Sequence, residues 1–147
     1  MTTIAYHHES GIIAYDSLIT ENGKVLSVQF DKKEHLHCEK NNEWFYIFGA
    51  GTTHEIDLLK TLSIGEQVPD WCRGEMFTLK DGGASVFHRY VDNGIVAEDG
   101  LSYDYAIGSG REYALAYMKI GKSAKESVSL ACEVDIYSGG EVREFEL

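Results

Sequence analysis

Residue 2 of the chain is Thr2, directly after Met1. A small residue in this position favours removal of the initiator Met, so the expectation is a chain that begins at Thr2. Thr2 would then carry a hydroxyl and a free α-amine together. An α-amine has an ordinary pKa of about 8, roughly two units below a Lys side chain. It can therefore act as general base for its own hydroxyl near neutral pH. The plain alternative is an ordinary strand residue. Asp16 closes the apolar run Ile12-Ile13-Ala14-Tyr15, where a buried carboxylate would need partners. Lys32-Lys33 is a solvated surface pair unless a site claims one of them; neighbours on a strand face opposite ways, so at most one can serve. Gly108-Ser109-Gly110 reads as a helix-start turn with Ser109 as its cap. His35 and His37 share a strand face and would allow a metal site. No other Cys or His pair has ligand spacing, and a polar sheet face is the plainer reading, as for His7-His8.

These residues depend on short strands and few helices for their placement. Thr2 to His8 and Gly11 to Asp16 read as an antiparallel hairpin. Asn22-Gly23 is a turn before a strand-like run from Val25 to Phe30. Trp44 to Phe48 is a dense aromatic strand. Ile56, Leu59 and Leu62 then fall at helical spacing, capped by Thr52 or Thr53. Residues 65–74 read as irregular. Strand character returns at 76–79, at 84–91, after the turn Asp92-Asn93-Gly94, and at 103–107. One helix carries Tyr113, Ala116, Tyr117 and Ile120 and stops at Gly121. The next has Ser123 and Glu126 as a capping box. Two strand-like runs, 134–137 and 142–147, close the chain. Grouped strands predict antiparallel sheets in an α+β fold, with residues 1–147 as a single domain.

In order, the chain presents Thr2-Thr3-Ile4, Ile12-Ile13-Ala14-Tyr15-Asp16, Lys32-Lys33, Phe48-Gly49-Ala50-Gly51-Thr52, and Ala106-Ile107-Gly108-Ser109-Gly110 with Tyr113-Ala114. The series resembles the proteasome β-subunit family, and within it the bacterial HslV type of threonine peptidase. The resemblance covers most of the chain and is most specific at the Ala-Ile-Gly-Ser-Gly stretch. It implies a four-layer αββα sandwich of two antiparallel sheets, the N-terminal nucleophile hydrolase fold. One helical layer would be reduced, because residues 55–73 leave room for one short helix where the HslV type has two long ones. It implies Thr2 as nucleophile, Asp16 as the buried carboxylate and Ser109 as hydrogen-bond partner of the Thr2 amine. A gapless count from Asp16 puts the family Lys on Lys32, with Lys33 as fallback. The backbone N–H of Ala50, or of Gly49, would receive the oxyanion. The turn near Cys132, Asp135 and Ser138 resembles a backbone loop for a monovalent cation such as Na+; no cofactor is otherwise required. The resemblance also implies a peptide substrate, a homo-oligomer and an ATP-dependent unfoldase partner. The alternatives are an inactive structural relative that keeps Met1, and an amidohydrolase of small amides on the same fold.

Composition narrows the function classes. With 24 Asp+Glu against 13 Lys+Arg and a net charge of -11, the chain is poorly suited to nucleic-acid phosphates or anionic membranes. At 44% hydrophobic residues it is too apolar for a disordered chain. Three widely spaced Cys and an N-terminus without a signal-peptide pattern lead to the expectation of a cytoplasmic protein without disulfides.

Overall fold

A computed structural model describes residues 2–147. In chain order the elements are β1 (Thr3–His7), β2 (Ile12–Tyr15), β3 (Ile19–Glu21), β4 (Lys24–Ser27), β5 (Lys33–Cys38), β6 (Glu43–Ala50) and α1 (Thr53–Leu59). They continue with β7 (Glu75–Lys80), β8 (Val86–Asp92), β9 (Ile95–Leu101), β10 (Tyr105–Gly108), α2 (Arg111–Lys119), α3 (Ala124–Val134) and β11 (Arg143–Glu146). Among the described residues all strand pairs are antiparallel and three helices accompany them, an α+β content. The chain divides into two compact units, Met1–Lys32 with Ser102–Leu147, and Lys33–Leu101.

In the first unit the sheet order is β10-β1-β2-β11. One face carries Ala5, Ala14 and Ala106, and against it pack Ala114 and Met118 of α2 and Ala124, Val128 and Ala131 of α3. Small side chains on the sheet let both helices lie close at interior density. The alternate positions Ile4, Tyr6, Ile13, Tyr15 and Ile107 are also buried, so β1 is apolar on both faces rather than alternating. The Ser123–Glu126 capping box is present at the start of α3. Ser127, one turn into α3, is fully buried, and its hydroxyl has no hydrogen-bond partner among the described residues. Ser127→Ala should therefore raise stability by about 1 kcal/mol, since it removes an unsatisfied polar group and improves helix propensity. Thermal unfolding should show Tm higher by about 2–4 °C; a lower Tm would mean the hydroxyl has a role of its own.

Residues 134–137, expected as a strand, instead end α3 and turn. The Asp135 N–H donates to the Ala131 carbonyl at 2.8 Å, and Asp135 Oδ1 accepts the Tyr137 N–H at 3.2 Å. The Asp side chain thus offers the backbone a turn that competes with extension. Val134 and Ile136 remain exposed.

The second unit is a five-stranded meander, β5-β6-β7-β8-β9. Only one helix, α1, lies between β6 and β7. Thr52 and Glu55 form its capping box. Its Ile56, Leu58 and Leu59, with Leu62 beyond it, join Ile47, Met76 and Val96 in a second core. A side chain at Gly49 would strike Ile56, which is why β6 carries a glycine under this helix.

Candidate active site

Thr2 lies in the first unit, one residue before β1, and is 4% exposed. Lys32 Nζ donates to Thr2 Oγ1 at 2.9 Å and to Asp16 Oδ1 at 2.7 Å. The Lys32 side chain is 5% exposed and that of Asp16 0%. Lys33 instead begins β5 and lies over the Tyr46 ring at 5.9 Å. Asp16 follows β2 directly, so the hairpin register Ile4↔Tyr15 brings it beside the start of β1. Its Oδ1 also accepts the Thr3 N–H at 3.0 Å, and its Oδ2 accepts Gly139 N–H at 3.0 Å and Leu18 N–H at 3.4 Å. The carboxylate is thus fully partnered, as a buried charge requires. Burial lowers the Lys32 ammonium from its ordinary value, with Asp16 pulling the other way.

Ser109 meets the backbone of the same Thr2. The Thr2 N–H donates to Ser109 Oγ at 3.3 Å. Ser109 Oγ lies 3.2 Å from the Thr2 carbonyl and 2.5 Å from Asp135 Oδ2. A hydroxyl has one proton, and the shorter contact gives it to Asp135. Ser138 Oγ donates to the same Asp135 oxygen at 2.6 Å, which leaves it to accept from Thr3 Oγ1 at 2.7 Å. Burial raises the Asp135 carboxyl, but the bonds from Ser109, Ser138 and the Tyr137 N–H outweigh it and hold the group below the ordinary carboxylate range.

The glycines beside Ser109 have steric reasons. Gly108 has φ +93°, and a Cβ there would run into the Thr2 carbonyl. A Cβ on Gly110 would land on the Thr3 hydroxyl. The Gly-Ser-Gly turn therefore lies directly against Thr2-Thr3.

Thr2, Asp16, Lys32 and Ser109 are thus brought together within one unit. Asp135 and Ser138, considered from sequence only as backbone cation ligands, contribute their side chains to the Ser109 and Thr3 network. The signal for Asp135 was thin: one acid among many, three residues before a Ser-Gly-Gly turn. The Asp135 carbonyl accepts the Ser138 N–H at 3.2 Å. Burial and then the Asp16 charge push the Cys132 thiol up to about 12, against Lys32, so it stays protonated. Among the described residues no group of three His, Cys, Asp or Glu could hold a metal ion, the His35/His37 face included. Ala50 belongs to the other unit, where it ends β6 opposite Glu75 and is 4% exposed. Met1 lies outside the described residues. No helix among those described is long and apolar enough to cross a membrane.

No protein-family model and no curated protein matches the chain in sequence. Solved structures do match in fold. HslV from Trypanosoma brucei aligns with TM-score 0.67 and 16% identity over 99% of this chain and 100% of that one. BPH from Thiobacillus denitrificans aligns with TM-score 0.65 and 18% identity over 98% and 96%. The same BPH in complex with epoxomicin gives 0.65 and 18% over 98% and 97%. The chain thus shares the fold of these HslV and BPH structures.

Proposed function

We propose that the protein is a threonine-type peptidase whose nucleophile is Thr2, freed by loss of Met1. The observation that carries this reading is the buried Lys32 ammonium joining Thr2 Oγ1, at 2.9 Å, to the Asp16 carboxylate, at 2.7 Å. A strand-end Thr with only a structural role has no need of a buried cation on its hydroxyl. Loss of Met1 turns the Thr2 nitrogen into an α-amine held by Ser109. The Lys32 charge lowers the pKa of that amine and favours its neutral, basic form. Thr2 Oγ1 attacks the peptide carbonyl, and its proton passes to the amine and on to the leaving nitrogen. The resulting ester is opened by water, with the amine again taking the proton. Lys32, held by Asp16, stabilises the developing charge on Oγ1. Ser109, Asp135 and Ser138 fix the orientation of the amine.

The reading extends to the backbone N–H of Ala50 as oxyanion donor, and to a single domain over 1–147 as a four-layer αββα sandwich with one helical layer reduced. It also includes a peptide substrate, a homo-oligomeric assembly, an ATP-dependent unfoldase partner and a cytoplasmic location. No step needs a cation at Cys132, Asp135 and Ser138.

Intact mass measurement first establishes whether Met1 has been lost. The Met1-free protein should then cleave fluorogenic peptides, Thr2→Ala should cut the rate to background, and Thr2→Ser should retain part of it. Cleavage by Thr2→Ala at the wild-type rate would contradict the mechanism.

A further inference from the structure

Ser109 is held by Thr2 and Asp135, and two residues further on stands Arg111. It is the first residue of α2, where a cation opposes the helix dipole. It is also partly buried, which lowers its pKa despite the nearby Glu112. Neither feature favours the helix. Arg111 Nε donates to the Gly108 carbonyl at 3.2 Å. Gly108 ends β10, an edge strand of its sheet, and lies so close to Thr2 that a Cβ on it would strike the Thr2 carbonyl.

We infer that Arg111 is a positioning residue for the Thr2 nucleophile. By fastening the Gly108 carbonyl it fixes the peptide that leads into Ser109, and so keeps Ser109 Oγ on the Thr2 nitrogen. This rests on the peptidase reading for its kinetic consequence, but not for its structural one. The chain of contacts is short: guanidinium to Gly108 carbonyl at 3.2 Å, then Ser109 Oγ to Thr2 N at 3.3 Å. A flexible turn would leave the amine free to rotate away from its own hydroxyl, and a misplacement of about 1 Å is enough to cost on the order of 100-fold in rate. Arg suits the task because its charge persists when partly buried and its planar fork is rigid.

The test uses the Met1-free full chain with epoxomicin as probe. Arg111→Ala should lower the first-order rate of Thr2 modification at least tenfold, with the probe's binding constant within twofold of wild type and Tm within about 2 °C. Arg111→Lys, which can still donate to the carbonyl, should recover most of the rate. Wild-type labelling by Arg111→Ala overturns the inference. So does a loss that appears only as weaker probe binding, or that tracks a fall in Tm and is not recovered by Lys. A crystal structure of Arg111→Ala supplies the arm that needs no activity. Ser109 Oγ should move out of hydrogen-bond reach of Thr2 N, and an unchanged turn overturns the inference. Absence of labelling in the wild type would instead count against the peptidase reading, with the crystal structure still deciding the role of Arg111.

Discussion

Lys32→Met should reduce acylation of Thr2 by at least 1,000-fold. That corresponds to about 4 kcal/mol of transition-state stabilisation at 1.36 kcal/mol per tenfold. Met keeps the length and most of the volume of the Lys stem, so the packing around it survives while the ammonium is lost. Two contacts go with it, at 2.9 Å to Thr2 Oγ1 and 2.7 Å to Asp16 Oδ1. The first leaves the hydroxyl without the cation that would stabilise charge developing on it. The second leaves the fully buried Asp16 side chain without its counter-ion. Breaking a buried pair from one side costs about 3–5 kcal/mol, here softened by three backbone N–H donors to Asp16. The expected stability loss is therefore near the lower bound, about 3 kcal/mol, read as a fall of about 10 °C in Tm. Labelling should be measured well below that Tm, so that a folded but inactive protein is distinguished from an unfolded one. Lys33→Met, by contrast, should leave the labelling rate within a few fold of wild type. Equal losses from the two substitutions would remove Lys32 from its assigned role.

Asp16→Asn should destabilise the protein by about 3 kcal/mol. An amide has nearly the same shape as a carboxylate but replaces one acceptor with a donor. Both Asp16 oxygens already accept: Oδ1 from Lys32 Nζ and Thr3 N–H, Oδ2 from Gly139 and Leu18 N–H. Either orientation of the amide sets its NH2 against two donors in a site with no exposure. The β1–β2 register ends at Ile4↔Tyr15, one residue before Asp16, so loosening Asp16 loosens the entry to β1 and Thr2. Urea unfolding should show a lower midpoint with an unchanged slope. The labelling rate should fall at least 100-fold, because Lys32 loses the anion that holds it on Thr2. A midpoint equal to that of wild type would show that the carboxylate charge is not needed.

Much of this site was legible in the sequence because it lies at element ends that are easy to see. Asp16 terminates an apolar run, Ser109 sits in a Gly-Ser-Gly turn before a helical stripe, and Thr2 directly precedes the first strand. The choice of Lys32 over Lys33 was not legible from pattern alone. Both are cations at the mouth of one strand, and only the position of Lys32 just before β5 lets its side chain reach Thr2 and Asp16. Asp135 was hidden for a different reason. Val134-Asp135-Ile136-Tyr137 has the composition of a strand, and the turn it forms depends on its own carboxylate capturing the Tyr137 N–H. Arg111 gave no signal, because a helix surface Arg and an Arg clamped on a neighbouring carbonyl look alike until the backbone is placed. The strands on either side of Asn93-Gly94 are legible, whereas after the equally legible turn Asn22-Gly23 the sequence suggests a run to Phe30 and β4 stops at Ser27. The strands of the β3–β4 hairpin, of three and four residues, are too brief to show a period.

In the proposed mechanism Thr2 supplies both nucleophile and base. An epoxyketone offers two electrophilic carbons, one for the hydroxyl and one for the amine, so it interrogates both groups together. Met1-free protein incubated with epoxomicin should gain the mass of one probe molecule, and peptide mapping should place the whole adduct on Thr2. No adduct on the Met1-free protein, or an adduct that persists in Thr2→Ala, would contradict the account.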